Sequence, residues 1–228
     1  MIWYDYYYLI LVVPALIISG IAQWKVKSTY AKMSHFLNSR GLSGAEAAAK
    51  VLSYYGITNV QIHQTQGRLS DHYDPRSNVI RLSPEVFSGR SIASVGIACH
   101  EAGHAAQHAQ NYAPIKVRNA ILPVANIGSS LGFAIAIFGY FLGFGMLIDI
   151  GIILFASVTV FQLVTLPIEF NASKRALSVI TETGMLDEIE TGKAKQVLSA
   201  AAMTYVAALL VSIMSLLRLI LRTRNRRN

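Results

Sequence analysis

Residues 120–167 read AILPVANIGSSLGFAIAIFGYFLGFGMLIDIGIILFASVTVFQLVTLP, a run of 48 residues without Lys or Arg and with Asp149 as its one acid. As a single helix this run would be about 70 Å long, more than twice the ~30 Å hydrocarbon thickness of a bilayer. It must therefore fold back on itself. The glycine-rich GYFLGFGMLID from Gly139 to Asp149 predicts the turn of a hairpin, with spans near 121–142 and 147–167.

The composition of the whole chain agrees with a membrane environment. Of 228 residues, 53% are hydrophobic and only 14% are charged, whereas about a quarter of a soluble domain is charged. The net charge of +8 is then interpreted as membrane topology and contact with anionic lipid. No nucleic-acid-binding motif accompanies this charge, so the expected partner is the lipid bilayer and not a nucleic acid.

Two more apolar segments flank this central run. Residues 6–24 follow Asp5 without any preceding Lys or Arg, which favours an uncleaved anchor over a signal peptide. Residues 201–217 precede a tail with five arginines, and this segment either crosses the membrane or lies in its interface. The sequence therefore predicts a mainly α integral membrane protein with about four transmembrane helices.

The distribution of basic residues predicts the topology. Eleven Lys and Arg lie in residues 25–118 and four in 169–199, whereas the amino terminus before the first span has none. By the positive-inside rule both regions face the cytoplasm and the amino terminus lies outside. The predicted organisation follows the chain in five parts: an anchor (1–24), a cytoplasmic region (25–118), the hairpin (119–168), cytoplasmic helices (169–199) and a C-terminal transmembrane or interfacial helix with a basic tail (200–228).

Region 25–118 has the pattern of a small α+β structure. Ser43 and Glu46 form a capping-box pattern at the start of a helix that Gly56 can end. Residues 60–64, VQIHQ, and 78–82, NVIRL, are predicted strands, separated by the turn formers of 66–77. The second strand is interpreted as structural, with a free edge that pairs with an extended substrate as the alternative.

Directly before the hairpin, residues 97–108 read IACHEAGHAAQH. On a helix His100 and His104 project from one face about one turn apart, while Glu101 lies beside that face. This is the H-E-x-x-H pattern, in which two histidines bind zinc and the glutamate acts as general base. Ser91 can cap such a helix, which predicts a site for one Zn²⁺; a helix with structural histidines is the alternative.

A hydrolytic zinc has a third protein ligand, and we expect Glu169 in LPIEFNASKRAL to supply it. This segment begins where the hairpin returns to the membrane face that carries the histidine motif, and Pro167 is expected to start a new helix there. An acid at a helix N-terminus is the alternative interpretation of Glu169. The competing ligands are His108, Asp71, His72 and Asp74, and Cys99 is interpreted as a packing residue.

The combination of HEAGHAAQH, SDHYDP with IRLS, and PIEFNASKRA after a hydrophobic hairpin resembles the YugP-type neutral zinc metallopeptidases of bacterial membranes over nearly the whole chain. It is more distantly similar to the HtpX-type membrane gluzincins. The resemblance implies zinc, the ligands His100, His104 and Glu169, and Glu101 as catalytic base. In the HtpX-type pattern an Asp follows the ligand Glu by four positions, where this chain has Ser173.

The expected function is that of a membrane-bound zinc endopeptidase. It would act on peptides or membrane proteins at the cytoplasmic face, within a zincin-like catalytic region. Tyr73, His72 and Arg175 are candidates for stabilising the oxyanion. The rival is a non-catalytic zinc-binding adaptor or chaperone; a metal transporter is disfavoured because the spans hold almost no ionisable residues. The sequence predicts nothing about oligomeric state.

Overall fold

The computed structural model describes residues 5–67 and 69–224. The end of the basic tail, with Arg226 and Arg227, lies outside the described residues. The elements in chain order are a π-helical segment (Tyr8–Val12), α1 (Val13–Ser34), α2 (Gly44–Tyr54), β1 (Gln61–Gln64), β2 (His72–Asp74), β3 (Val79–Leu82), α3 (Pro84–Phe87), α4 (Ile92–Ala109), α5 (Ala113–Ile127), a second π-helical segment (Gly128–Gly132), α6 (Phe133–Leu142), α7 (Gly145–Glu182) and α8 (Glu188–Arg224).

Among the described residues, four helical stretches are long and apolar enough to cross a membrane. They are Tyr8–Ser34, Ala113–Leu142, Gly145–Glu182 and Glu188–Thr223. The prediction of a mainly helical protein with four transmembrane helices and a small sheet is confirmed to this extent. These helices are 27 to 38 residues long, so each extends beyond the part that is needed to cross the membrane.

The prediction that a new helix begins near Pro167 is wrong. Pro167 lies inside α7, which continues without a break to Glu182. A proline removes one backbone hydrogen bond, and helices of the membrane type tolerate this loss. Burial of Ile168 and Ala172 directly after the proline stabilises the continuous helix. Glu169 therefore lies on the same helix as the third apolar span.

The chain divides into two compact units. The first, the helical unit, comprises the described residues of 1–23, 116–167 and 203–228; the second, the mixed unit, comprises 24–115 and 168–202. The long helices contribute residues to both units, because each has an apolar part and a more polar part.

In the helical unit, α6 and α7 form the predicted hairpin. Gly143 ends α6 with φ +71°, a left-handed conformation that glycine adopts without strain. Along the hairpin a Cβ atom on Gly132 would lie 2.8 Å from the backbone nitrogen of Phe155, and one on Gly139 would lie 2.8 Å from that of Ile148. Glycine at these positions lets the two helices approach closely, as small residues do in membranes.

The helical unit also contains a charged contact between the start of the chain and α8. Asp5 accepts hydrogen bonds from Nε and Nη2 of Arg218 at 2.9 and 2.7 Å, and from Nη1 of Arg222 at 2.7 Å. The guanidinium carbon of Arg218 lies 4.8 Å from the ring centre of Tyr8. Asp5 and Tyr8 therefore lie beside the last turns of α8.

The core of the mixed unit forms around α4. Thirteen of the 18 residues of α4 are buried. They pack against apolar side chains from α2, from β3 and from the parts of α7 and α8 in the mixed unit, including Val51, Ile80, Val179 and Leu198. Such a central position makes α4 a rigid support for the side chains that it carries.

Local sequence signals fix the ends of the helices in the mixed unit. Ser43 accepts a hydrogen bond from the backbone nitrogen of Glu46, whose side chain accepts from Ser43 in return, so the predicted capping box is confirmed. Ser91 caps α4 as predicted, by accepting a hydrogen bond from the backbone nitrogen of Ser94. Gly56, at φ +66°, ends α2.

The sheet has the strand order β1-β3-β2, with β1 parallel and β2 antiparallel to β3. The two predicted strands are confirmed to within one residue. The sequence did not predict β2, because His72–Asp74 lies among turn formers and pairs only through its contact with β3. Since β3 is the central strand, the alternative that its edge is free to pair with a substrate is wrong.

Candidate metal site

Helix α4 presents two imidazoles on one face. The ring centres of His100 and His104 lie 4.7 Å apart, with both side chains partly exposed. This proximity follows from the four-residue spacing, which places the rings one turn apart on the same side. Glu101 follows His100 on α4 and is buried.

Helix α7 brings a carboxylate to these imidazoles. Oε2 of Glu169 lies 3.4 Å from Nε2 of His100 and 3.5 Å from Nε2 of His104. The three candidate ligand atoms all lie within 4.8 Å of one another. Residues separated by 65 positions or more in the sequence thus form one cluster, which the sequence predicted from the position of Glu169 after the hairpin.

Gly103, within the motif, sets the distance between α4 and α7. A Cβ atom at this position would lie 2.6 Å from the carbonyl oxygen of Ala172, closer than real Cβ contacts. Because glycine has no Cβ, α7 can pack directly against α4 at this point. Because the two helices are this close, the side chain of Glu169 is long enough to reach both histidines.

The cluster fits a zinc ion in its donor types, spacing and hydrogen bonding. Oε2 of Glu169 is buried and has no hydrogen-bond partner among the residues that the structure describes. Zinc ligands at about 2.0–2.1 Å in tetrahedral arrangement lie about 3.3–3.4 Å from each other, close to the two nitrogen–oxygen distances. Two histidines and one glutamate are a catalytic zinc set that leaves a position for water. A buried carboxylate oxygen without a partner is costly, and a cation at this point would remove that cost.

The carboxylates control the electrostatics of the site. Burial acts to lower the pKa of His104, but the nearby carboxylates of Glu169 and Glu101 raise this pKa above its ordinary value. The site is thus negative enough to attract a proton or a metal cation to the same nitrogen atoms. Metal binding competes with protonation of the imidazoles.

The outer nitrogen of each histidine also has a partner. Nδ1 of His104 lies 3.0 Å from Oε1 of Gln107, and Nδ1 of His100 lies 3.1 Å from Oγ of Ser173. Ser173 therefore contacts a histidine at the position where the HtpX-type pattern has an Asp. Sequence reasoning missed Gln107, although its place three residues after His104, among alanines, puts it on the same helix face.

The competing ligands lie in other contacts. Nδ1 of His108 lies 3.3 Å from the hydroxyl of Tyr73, and Asp71 accepts a hydrogen bond of 2.7 Å from the backbone nitrogen of Ser83. Asp74 accepts hydrogen bonds from Arg76 and Ser77 in the turn after β2.

Three further candidates from the sequence also have other surroundings. Nδ1 of His72 lies 2.8 Å from the carbonyl oxygen of Ser70. Cys99 is buried in the core, and burial raises the pKa of its thiol. Arg175 donates hydrogen bonds to Asn171 and Gln110.

Helices of membrane-spanning length, together with an H-E-x-x-H helix whose two histidines meet a glutamate from a second helix, define the class of membrane-bound zinc metallopeptidases. Comparison with known proteins agrees with this class. A family model described as "Putative neutral zinc metallopeptidase" matches residues 8–224. The chain therefore belongs to the neutral zinc metallopeptidase family, which confirms the resemblance found in the sequence.

One relative from Bacillus subtilis (strain 168) matches almost end to end. It is described as "Putative membrane protease YugP" and is 44% identical over 214 residues, which cover 94% of this chain and 95% of the relative. No solved structure matches the chain.

Proposed function

We propose that the protein is an integral-membrane endopeptidase that hydrolyses peptide bonds with one zinc ion. His100, His104 and Glu169 hold the zinc, and Glu101 is the general base. The observation that carries this proposal is the convergence of the two imidazole Nε2 atoms on the buried, unpartnered Oε2 of Glu169.

When bound, zinc supplies a Lewis acid that polarises a peptide carbonyl and makes water nucleophilic near neutral pH. The carboxylate of Glu101 takes a proton from the attacking water. It then delivers this proton to the nitrogen of the departing amine, so that one residue serves as base and acid in turn. Glu101 is buried in α4, directly after His100 in the sequence.

The substrates are peptides or exposed segments of membrane proteins, cleaved at the cytoplasmic face of the cell membrane. The relative from Bacillus subtilis is described as a membrane protease, which supports a substrate close to the bilayer. The fifteen Lys and Arg of residues 25–118 and 169–199 support a cytoplasmic location for the site by the positive-inside rule.

The test is the change Glu101→Gln, with zinc content and hydrolysis measured on purified protein in detergent or liposomes. The amide cannot accept the proton, so hydrolysis of a casein or peptide substrate should fall by about 10²-fold or more. Zinc content should stay near one ion per chain. The matched control is Glu188→Gln, which makes the same chemical change at an exposed position at the start of α8.

Retained hydrolysis by the Glu101→Gln protein would contradict the role of Glu101. Zinc binding by the unmodified protein without any hydrolysis would favour the adaptor or chaperone function instead.

A further inference from the structure

A chain of hydrogen bonds runs outward from His104 through Gln107 and Asn171 to Arg175. Oε1 of Gln107 lies 3.0 Å from Nδ1 of His104. Nε2 of Gln107 donates to the carbonyl oxygen of Ile168 at 2.8 Å and to Oδ1 of Asn171 at 2.9 Å. The same Oδ1 accepts from Nε of Arg175 at 2.7 Å. All of these residues belong to the mixed unit.

The hydrogen-bonding groups of Ile168, Asn171 and Arg175 fix the orientation of the Gln107 amide. The carbonyl oxygen of Ile168 can only accept a hydrogen bond, so the Gln107 atom that faces it must be the nitrogen. Nε of Arg175 can only donate, so the Asn171 atom that faces it must be the oxygen. That oxygen then accepts from Gln107 as well. Oε1 of Gln107 is therefore left to face His104.

The orientation of the amide fixes the tautomer of His104. A carbonyl oxygen accepts only, so Nδ1 of His104 must carry the hydrogen. The neutral ring then has its lone pair on Nε2, the atom that lies 3.5 Å from Oε2 of Glu169. The hydroxyl of Ser173 beside His100 can donate or accept, so it imposes no such choice.

Gln107 also connects the two helices of the site. It is fully buried in α4, and its bond to Ile168 reaches the residue next to Glu169 on α7. One side chain thus holds both the ring of one histidine and the helix turn that carries the carboxylate.

Arg175 anchors the outer end of the chain. Its Nη1 donates to Oε1 of Gln110 at 2.6 Å, and its guanidinium carbon lies 5.8 and 6.0 Å from the ring centres of Tyr55 and Tyr112. A guanidinium held on three sides keeps its Nε aimed at Asn171, because its planar donors have fixed directions.

We propose that Gln107 and Asn171, anchored by Arg175, are positioning residues that hold His104 in the Nδ1–H tautomer and orient it for zinc. This inference rests on the proposed zinc site and deepens it. When a group that hydrogen-bonds to a metal ligand is removed, metal affinity typically falls by about 10- to 100-fold.

The experiment measures zinc affinity by competition with a chromophoric chelator, and the absorption spectrum of the Co²⁺-substituted protein, for a set of variants. Gln107→Leu and Asn171→Leu should each lower zinc affinity by about 10- to 100-fold and change the Co²⁺ spectrum. The double variant should lose little more than either single variant, because the two residues act in one chain. Asn171→Asp keeps an oxygen for both donors and should bind zinc within about threefold of the unmodified protein, well short of the loss expected for Asn171→Leu.

Ser94→Ala is the control for a general loss of helix stability. Ser94 is buried in the same helix and bonds to Ser91 and to the carbonyl oxygen of Glu85, away from the chain of amides. Its removal should leave zinc affinity and the Co²⁺ spectrum unchanged.

Zinc affinity that is unchanged in Gln107→Leu and Asn171→Leu would overturn the positioning role while leaving the zinc site intact. Equal damage by Asn171→Asp and Asn171→Leu would also overturn it, since Asn171→Asp keeps the oxygen that accepts from Gln107 and Arg175. Failure of the unmodified protein to bind zinc would overturn the proposed function, and this inference with it.

Discussion

At the scale of single residues, the site contrasts two buried glutamates. Glu190 is buried but accepts hydrogen bonds from Ser39 and from the backbone nitrogen of Asp187. Glu169 is buried to a similar degree, yet its Oε2 has no hydrogen-bond partner in the part of the chain that the structure describes. Within the described residues, the fold supplies hydrogen bonds to the first carboxylate but none to Oε2 of the second, which is where the proposed zinc would bind.

Replacing Glu169 by Ala should therefore remove zinc from the protein. Zinc affinity should fall by more than the 10- to 100-fold that is typical when a hydrogen-bond partner of a ligand is removed, because here a ligand itself is removed. Metal analysis of the purified protein measures the result. Glu190→Ala is the matched control: it should lower stability by about 1–3 kcal/mol through lost hydrogen bonds but keep zinc in the folded fraction. Full zinc occupancy in Glu169→Ala would assign the third ligand to another residue.

At the scale of elements, the contact between α4 and α7 determines whether the cluster forms. Gly103 lies where a Cβ would meet the backbone of Ala172 at 2.6 Å. Gly96, two turns earlier on α4, faces Ala194 of α8, where a Cβ would lie at an ordinary 3.5 Å. Replacing Gly96 by alanine therefore tests helix propensity alone. Replacing Gly103 by alanine also tests how closely α7 packs against α4.

Gly103→Ala should push α7 away from α4. We expect a loss of about 1–3 kcal/mol in stability and a fall in zinc affinity, because the backbone of Ala172 cannot move without carrying Glu169 with it. Gly96→Ala should be neutral or stabilising by up to about 1 kcal/mol, since alanine favours a helix more than glycine does. Denaturation in detergent and zinc titration measure both effects. Equal zinc affinity in the two variants would show that α7 does not depend on the small residue at position 103.

At the scale of the whole molecule, the charges predict how the chain crosses the membrane. The basic residues of 25–118 and 169–199 favour the cytoplasm, but the tail after α8 is basic too. In the helical unit, Asp5 forms ion pairs with Arg218 and Arg222, both at 2.7 Å. The pairing offsets part of the positive charge of the tail and places the end of α8 beside the start of the chain. We infer that α8 crosses the membrane and that its end lies on the same side as the amino terminus.

Labelling of single cysteines with a membrane-impermeant maleimide tests this topology. Cys99 is buried, and burial raises the pKa of its thiol, so it should not react. Asn228→Cys should be labelled in intact cells, whereas Ser53→Cys, exposed on α2, should be labelled only after the membrane is permeabilised. Labelling of both positions only after permeabilisation would show that α8 does not cross.

The sequence alone determined the features that depend on neighbours along the chain. The long apolar run of residues 120–167, without Lys or Arg, required a hairpin, the spacing of His100 and His104 put two imidazoles on one helix face, and Ser43 and Ser91 marked helix starts. These signals are local, because caps and helical periodicity act within one or two turns. Glu169 could be chosen only through its position after the hairpin, since nothing beside it in the sequence marks a ligand.

Only the tertiary structure decided the features that depend on distant partners. Helix α7 continues through Pro167, β3 becomes a central strand by pairing with the short β2, and Gln107 meets a residue 61 positions away. Each of these outcomes reflects packing energy between elements, which outweighs the local preference of a proline or of a turn-rich segment. The spacing of the motif predicts two ligands for a metal, but the approach of α7 at Gly103 decides whether a third one reaches them.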